Sequence, residues 1–140
     1  MTEQEIVMET TNPKTELYLD WDVVYATYPS TQKWKQFIQN LPKVVEDFGK
    51  PEVWSRKSSS GRTHLKLVFE KEIASFDQFI LRAALGDDYA RVYLDLKRIF
   101  HHGIEETNRI FDWKVVGGEK FEAGPWEKVP VAFKEEDKKE

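Results

Sequence analysis

Arg56-Lys57-Ser58-Ser59-Ser60-Gly61-Arg62-Thr63-His64-Leu65-Lys66-Leu67 reads as a hairpin tip running into a strand. The Ser-Ser-Ser-Gly run supplies turn formers, and glycine accepts the positive φ that a tight turn requires. From Arg62 the residues alternate. Arg62, His64 and Lys66 fall on one face, and Thr63, Leu65 and Leu67 on the other. Alternation of this kind marks a strand with one buried face. The apolar face needs a core. The polar face carries three cationic or titratable groups in a row, and no acid stands between Trp54 and Phe69, where Arg56 and Lys57 add to the same sign.

Working outward, residues 51–57 (PEVWSRK) form the strand before this turn. Residues 16–28 (ELYLDWDVVYATY) alternate too, with Leu17, Leu19, Trp21, Val23 and Tyr25 against Tyr18, Asp20, Asp22 and Val24. Pro29 breaks this strand, and Ser30 is the expected N-cap of a helix. Trp34, Phe37, Ile38 and Leu41 recur at helical spacing, followed by Val44, Val45 and Phe48, with Gly49 as the stop. Pro42 is expected to kink or split this helix. Ser75 and Gln78 make a capping-box pattern opening another helix, which Gly86 ends. Asp87 or Asp88 caps one more helix, running through Val92, Leu96 and Ile99. Residues 109–116 (RIFDWKVV) alternate again, placing Phe111, Trp113 and Val115 opposite Ile110, Asp112 and Lys114.

The order is β-α-β-β-α-β. It predicts an α+β fold, ferredoxin-like or RRM-like, with a four-stranded antiparallel sheet and helices on one face. In that arrangement the first and third strands are central and 109–116 flanks the first. Residues 1–15 read as a flexible lead, 16–116 as a single domain, and 117–140 as an extended arm with a charged tail. Trp126 and Phe133 are the expected docking points on that arm.

The chain has 140 residues, no cysteine and a formal net charge of −4, so a disulfide framework and cysteine metal sites are excluded. Five Trp, five Tyr and nine Phe argue for a packed core rather than disorder. No apolar run approaches the roughly 18–20 residues of a membrane span. The N-terminal residues lack a basic-then-apolar signal pattern, so no membrane partner and a cytoplasmic location are expected.

Parity collects Asp20, Asp22, Arg62, His64, Lys66, Asp112 and Lys114 on the uncovered side of the sheet. Asp20 and Asp22 would lie about 6–7 Å apart on one strand face. A divalent ion with oxygen ligands, Mg²⁺ or Mn²⁺, relieves such repulsion, and Asp112 could add a third carboxylate. His64 and Lys66 would then be catalytic, and Arg56, Lys57, Ser60, Arg62 and Lys114 would hold phosphates of a nucleotide or nucleic acid. Successive Ser and Gly amides in the turn could add an anion nest.

The runs LYLDWD (17–22), SSGRTHLKL (59–67) and RIFDWK (109–114) together resemble the three motifs of the archaeo-eukaryotic primase palm. The resemblance implies Asp20, Asp22 and Asp112 as metal ligands and His64 as a contact to an incoming triphosphate. It implies a replication-type protein of a virus or plasmid, performing metal-dependent nucleotidyl transfer. YATYPSTQKWKQF and THLKLVFEKEI are also similar to rolling-circle replication initiators. In those, a His-apolar-His pair holds metal and a helix-borne Tyr attacks DNA. Here Lys66 stands in the place of the second His, and Tyr89 or Tyr93, with Lys97, would be the nucleophile.

Plainer readings stand beside these. Asp20 and Asp22 pair with neighbouring cations, His64 is structural, and Ser58–Gly61 is only a turn. Non-catalytic binding of single strands on the sheet face is one alternative function. Homodimerisation through that face or the Trp126 arm is another.

Overall fold

The computed structural model describes residues 5–9, 13–102, 108 and 110–131. Its α+β architecture is built on a four-stranded antiparallel sheet with helices against one face, consistent with the ferredoxin-like arrangement. Strands β1 (Glu5–Glu9), β2 (Glu16–Val24), β3 (Glu52–Lys57) and β4 (Arg62–Val68) precede β5 (Phe111–Val116), β6 (Glu119–Glu122) and β7 (Glu127–Val129). The helices are α1 (Gln32–Phe48), α2 (Ser75–Ala84) and α3 (Tyr89–His102), and a 3₁₀ turn spans Tyr25–Ser30. No helix among the described residues is long and apolar enough to cross a membrane.

The main sheet runs β2-β4-β3-β7. Its inner face is the one that alternation requires: Leu17, Leu19 and Trp21 from β2, Val53 from β3, and Leu65 and Leu67 from β4 are all buried. Phe37, Leu41 and Val44 of α1, Leu81 of α2 and Leu85 just beyond its end close the core above them. Trp21 packs edge-on against Trp34 and Phe37, with ring centroids 6.2 and 5.6 Å away. Full burial of so many large side chains, at about 1.5–3 kcal/mol each, is what makes this pairing of sheet and helices the stable one.

Local expectations met three exceptions. Thr31, not Ser30, caps α1, its hydroxyl accepting from Trp34 N at 3.3 Å. The helix continues through Pro42, which lies on its exposed side, while Leu41 and Val44 remain buried on either side. Packing of that face outweighs the roughly 3 kcal/mol that an interior proline costs. Gln78 does not close a capping box. It is buried, and its amide reaches the carbonyls of Lys14 and Glu16 at 3.4 and 3.3 Å, tying α2 to the start of β2.

The fourth strand is not the one the order suggested. Residues 111–116 pair with β1 and β6 in a separate three-stranded sheet, β1-β5-β6, and β7 flanks β3 at the other edge. The reason lies along the outer edge of β2, whose backbone groups already have partners. Asn108 donates to Glu16 O at 2.7 Å and accepts from Tyr18 N at 2.9 Å. Arg91 donates to Tyr18 O at 3.3 Å. Asp87 Oδ1 accepts from Asp20 N at 2.7 Å, and Asp88 N donates to Asp20 O at 2.8 Å. A strand laid there would have to displace all of these.

Residues 5–9 and 119–129, read as lead and arm, thus supply three strands. Gly117 and Gly118, at φ +59° and +83°, form the two-residue turn joining β5 to β6. Positive φ at both positions suits a hairpin whose strands twist right-handed.

Candidate functional site

The outer face of the main sheet is a lattice set by register. Tyr18, Lys66 and Trp54 make one row, and Asp20, His64 and Arg56 the next, each row contributed by β2, β4 and β3. Arg62 follows His64 at the hairpin end. The grouping of Asp20, His64, Lys66 and Arg62 on one side is therefore the one that parity predicts.

The second row is a continuous polar chain. Arg56 Nε donates to His64 Nδ1 at 3.0 Å, so the ring proton resides on Nε2, which faces Asp20 Oδ1 at 3.8 Å. At the other end, Arg56 NH2 lies 3.0 Å from Asp112 Oδ1, the point where the small sheet meets the large one. Arg56 and His64 are buried, at 5 % and 3 % exposure. Burial, aided by the charges of Arg56 and Arg91, lowers the His64 pKa to about 3, so the imidazole is neutral. Burial raises the Asp20 pKa to about 6, against the opposing pull of Arg91. A neutral ring facing a carboxyl at 3.8 Å is a polar contact rather than an ion pair.

The first row is covered by the arm. Gly124 N donates to Lys57 O at 2.7 Å, Ala123 N donates to Asp112 O at 2.9 Å, and β7 pairs with β3. These anchors lay Trp126 across the face. Its ring centroid is 6.3 Å from Tyr18, with the Arg56 guanidinium at 4.4 Å and the Lys66 ammonium at 4.7 Å. Lys66 also lies 5.7 Å from the Trp54 ring. Trp126, Lys66 and Trp54 stay partly exposed, whereas Tyr18 is buried and bonds Glu16 through its hydroxyl. The result is an alternation of rings and cations held by cation–π attraction.

The hairpin tip is fully engaged with itself. Ser58 Oγ accepts from Ser60 N at 3.3 Å and Arg62 N at 2.9 Å, and Ser58 O accepts from Gly61 N at 3.0 Å. These amides are not available as an anion nest. The side chains of Lys57 and Arg62 project into solvent beside the turn, and Ser60 is exposed with them.

The expected metal ligands are dispersed. Asp112 pairs with Arg56, Asp20 faces His64, and Asp22 pairs with Arg62 at 3.4 Å on a largely exposed side chain. Among the described residues, no three His, Asp or Glu side chains converge on a point suited to a metal ion. Each of the three carboxylates has a partner of its own: a guanidinium for Asp112 and for Asp22, and the neutral ring of His64 for Asp20. Lys114 stays on the three-stranded sheet, in register with Val7 and Phe121, apart from the lattice. Tyr93 lies on the exposed side of α3 with Lys97 5.2 Å from its ring, whereas His64 is buried on β4. The side chain of Tyr89 and all of Phe133 fall outside the described residues.

Sequence reasoning did not single out Asn108, Arg82, Arg91 or Asp95. Arg82 is fully buried and bonds Asp87 through Nε at 2.9 Å and Asp95 through NH2, while Arg91 also reaches Asp87. The signal was present in the spacing of Arg82, Asp87, Arg91 and Asp95, which returns a charge every four or five residues to one side. Asp88 does cap α3, its carboxylate accepting from Arg91 N at 3.3 Å. A scan of protein families, a search of curated proteins and a search of solved structures each found no match to this chain.

Proposed function

We propose that the protein is a non-catalytic module for single-stranded nucleic acid. In this reading it binds through the hairpin end of β3–β4 and the row of rings and cations above it. The observation that carries this reading is the partly exposed Trp126 ring in contact with the Arg56 and Lys66 cations, Lys66 lying also near the partly exposed Trp54 ring. Partly exposed rings offer faces for bases, and base–ring stacking contributes about 1–3 kcal/mol per base without sequence preference. Lys57 and Arg62 stand where the phosphates would leave the stack. Two of the acids on this face do not oppose a polyanion at full charge, since Asp22 and Asp112 are ion-paired. The net charge of −4 makes the attraction local rather than global.

Nucleotidyl transfer on the same face has a weaker footing. It would require three carboxylates to leave separate partners, and a buried neutral His64 to turn toward a triphosphate.

Anisotropy of a labelled oligo(dT) or oligo(U), titrated over a salt series, tests the proposal. Each of Lys57→Ala and Arg62→Ala should weaken binding and reduce the slope of log K against log salt by about 1. Trp126→Ala should weaken binding while leaving that slope unchanged, since stacking releases no counterions. Absence of binding at low salt, or indifference to all three changes, would refute it.

A further inference from the structure

The two helices that follow β4 carry an apolar surface that the core does not use. Phe76 and Ile80 of α2 are 60 % and 48 % exposed, and stand one turn apart on one side of the helix. On α3, Tyr93, Leu96 and Phe100 are 51 %, 40 % and 79 % exposed, at the i, i+3, i+7 spacing of a single stripe. α2 and α3 are joined on their buried sides by the ion pair of Arg82 and Asp95, and both stripes lie on the sides turned away from it. With aromatic side chains presenting about 150–250 Å² each, the five expose on the order of 500 Å². That is at the upper end of the apolar patch of an ordinary monomer, and most of the roughly 800 Å² that one partner contributes to a stable interface.

The charges beside the two stripes have opposite signs. Glu72 and Asp77 are exposed at the start of α2. On the exposed side of α3, Lys97 lies within the stripe. A surface with an acidic apolar half and a basic apolar half is complementary to itself when turned by a two-fold rotation. In such an isologous contact, each α2 meets the partner's α3 and each α3 meets the partner's α2.

We propose that this α2–α3 surface is where a second copy of the chain docks, forming a symmetric dimer that pairs Phe76, Ile80 and Asp77 with Tyr93, Phe100 and Lys97 of the other copy. None of these residues belongs to the ring-and-cation row, so dimerisation goes beyond the binding activity proposed above.

Sedimentation velocity of the full chain at rising concentration, up to about 200 μM, should show a monomer–dimer equilibrium. Phe100→Glu should weaken the dimer at least about tenfold, as a charge placed in the buried centre of an interface does. The Phe100 side chain is already exposed in the monomer, so circular dichroism and the melting curve of the variant at low concentration should match the parent. Lys97→Glu should weaken the dimer, and Asp77→Lys added to it should restore association. A wild-type chain that stays monomeric, or a dimer indifferent to Phe100→Glu, overturns the proposal. Failure of the charge reversal to restore association overturns the pairing of α2 with α3.

Discussion

The Nε–H of Arg56 points at Nδ1 of His64 across 3.0 Å, and this one bond decides the chemistry of the second row of the sheet. It commits Nδ1 as an acceptor and leaves the ring neutral beside a permanent cation. An imidazole so held cannot also accept a proton on that nitrogen without losing its neighbour. The stability of the fold should therefore depend on pH through this residue.

In the unfolded chain His64 takes up a proton near 6.5, whereas in the fold its pKa is lowered to about 3. The contribution of the neutral ring is fully present above pH 6.5 and is lost as pH falls from 6.5 toward 3. His64→Gln should flatten this acid limb, although it lowers stability at pH 7 by removing a buried contact. Urea midpoints of both proteins between pH 3 and 8 measure this, and parallel curves would contradict the assignment.

Asp20 works in the opposite sense. Its folded pKa, about 6, lies above the ordinary carboxyl value, so its contribution is present below pH 3.8 and is lost as pH rises through 6. Asp20→Asn should then stabilise the protein at pH 7–8, by about 1 kcal/mol once the screening of a one-third-exposed carboxyl is allowed for. Below pH 4 the gain should vanish. Melting temperatures at the two pH values check it, and a loss of stability at pH 8 would show that the charged form is favoured in the fold.

Asn108 substitutes for a strand. Its side chain satisfies Tyr18 N and Glu16 O, it is fully buried, and its φ of +62° is a backbone conformation that Asn tolerates better than most residues. Asn108→Ala leaves both backbone groups without these partners and should cost about 2–4 kcal/mol. Asn108→Asp keeps the acceptor for Tyr18 N but sets a carboxylate oxygen against Glu16 O in a buried site, and should cost at least as much. Denaturant unfolding gives both values, and a cost below about 0.5 kcal/mol for the alanine would mean that other groups close the edge of β2.

Much of this molecule was legible in the chain itself. The alternation of Leu17-Leu19-Trp21 and of Leu65-Leu67 placed two strands and chose their inner faces. The spacing of Phe37, Leu41 and Val44 placed α1 on top of them. The same alternation put Asp20, His64, Lys66 and Arg62 together on the outer face, as the register confirms. These are local signals, because side-chain direction follows from backbone repeat, and the cost of burying the wrong face is large.

The sequence by itself determined which side chains face the core and which share the outer surface. Only the tertiary structure decided what lies against that surface and along its edges. Asp112 reached the lattice from another sheet, through Arg56, rather than from a strand beside β2. The edge went to Asn108, Asp87, Asp88 and Arg91, and the face went to Trp126. The physical reason is that an edge carbonyl or a ring face accepts any suitable partner, so its choice depends on which distant groups arrive together, and no periodicity records that competition.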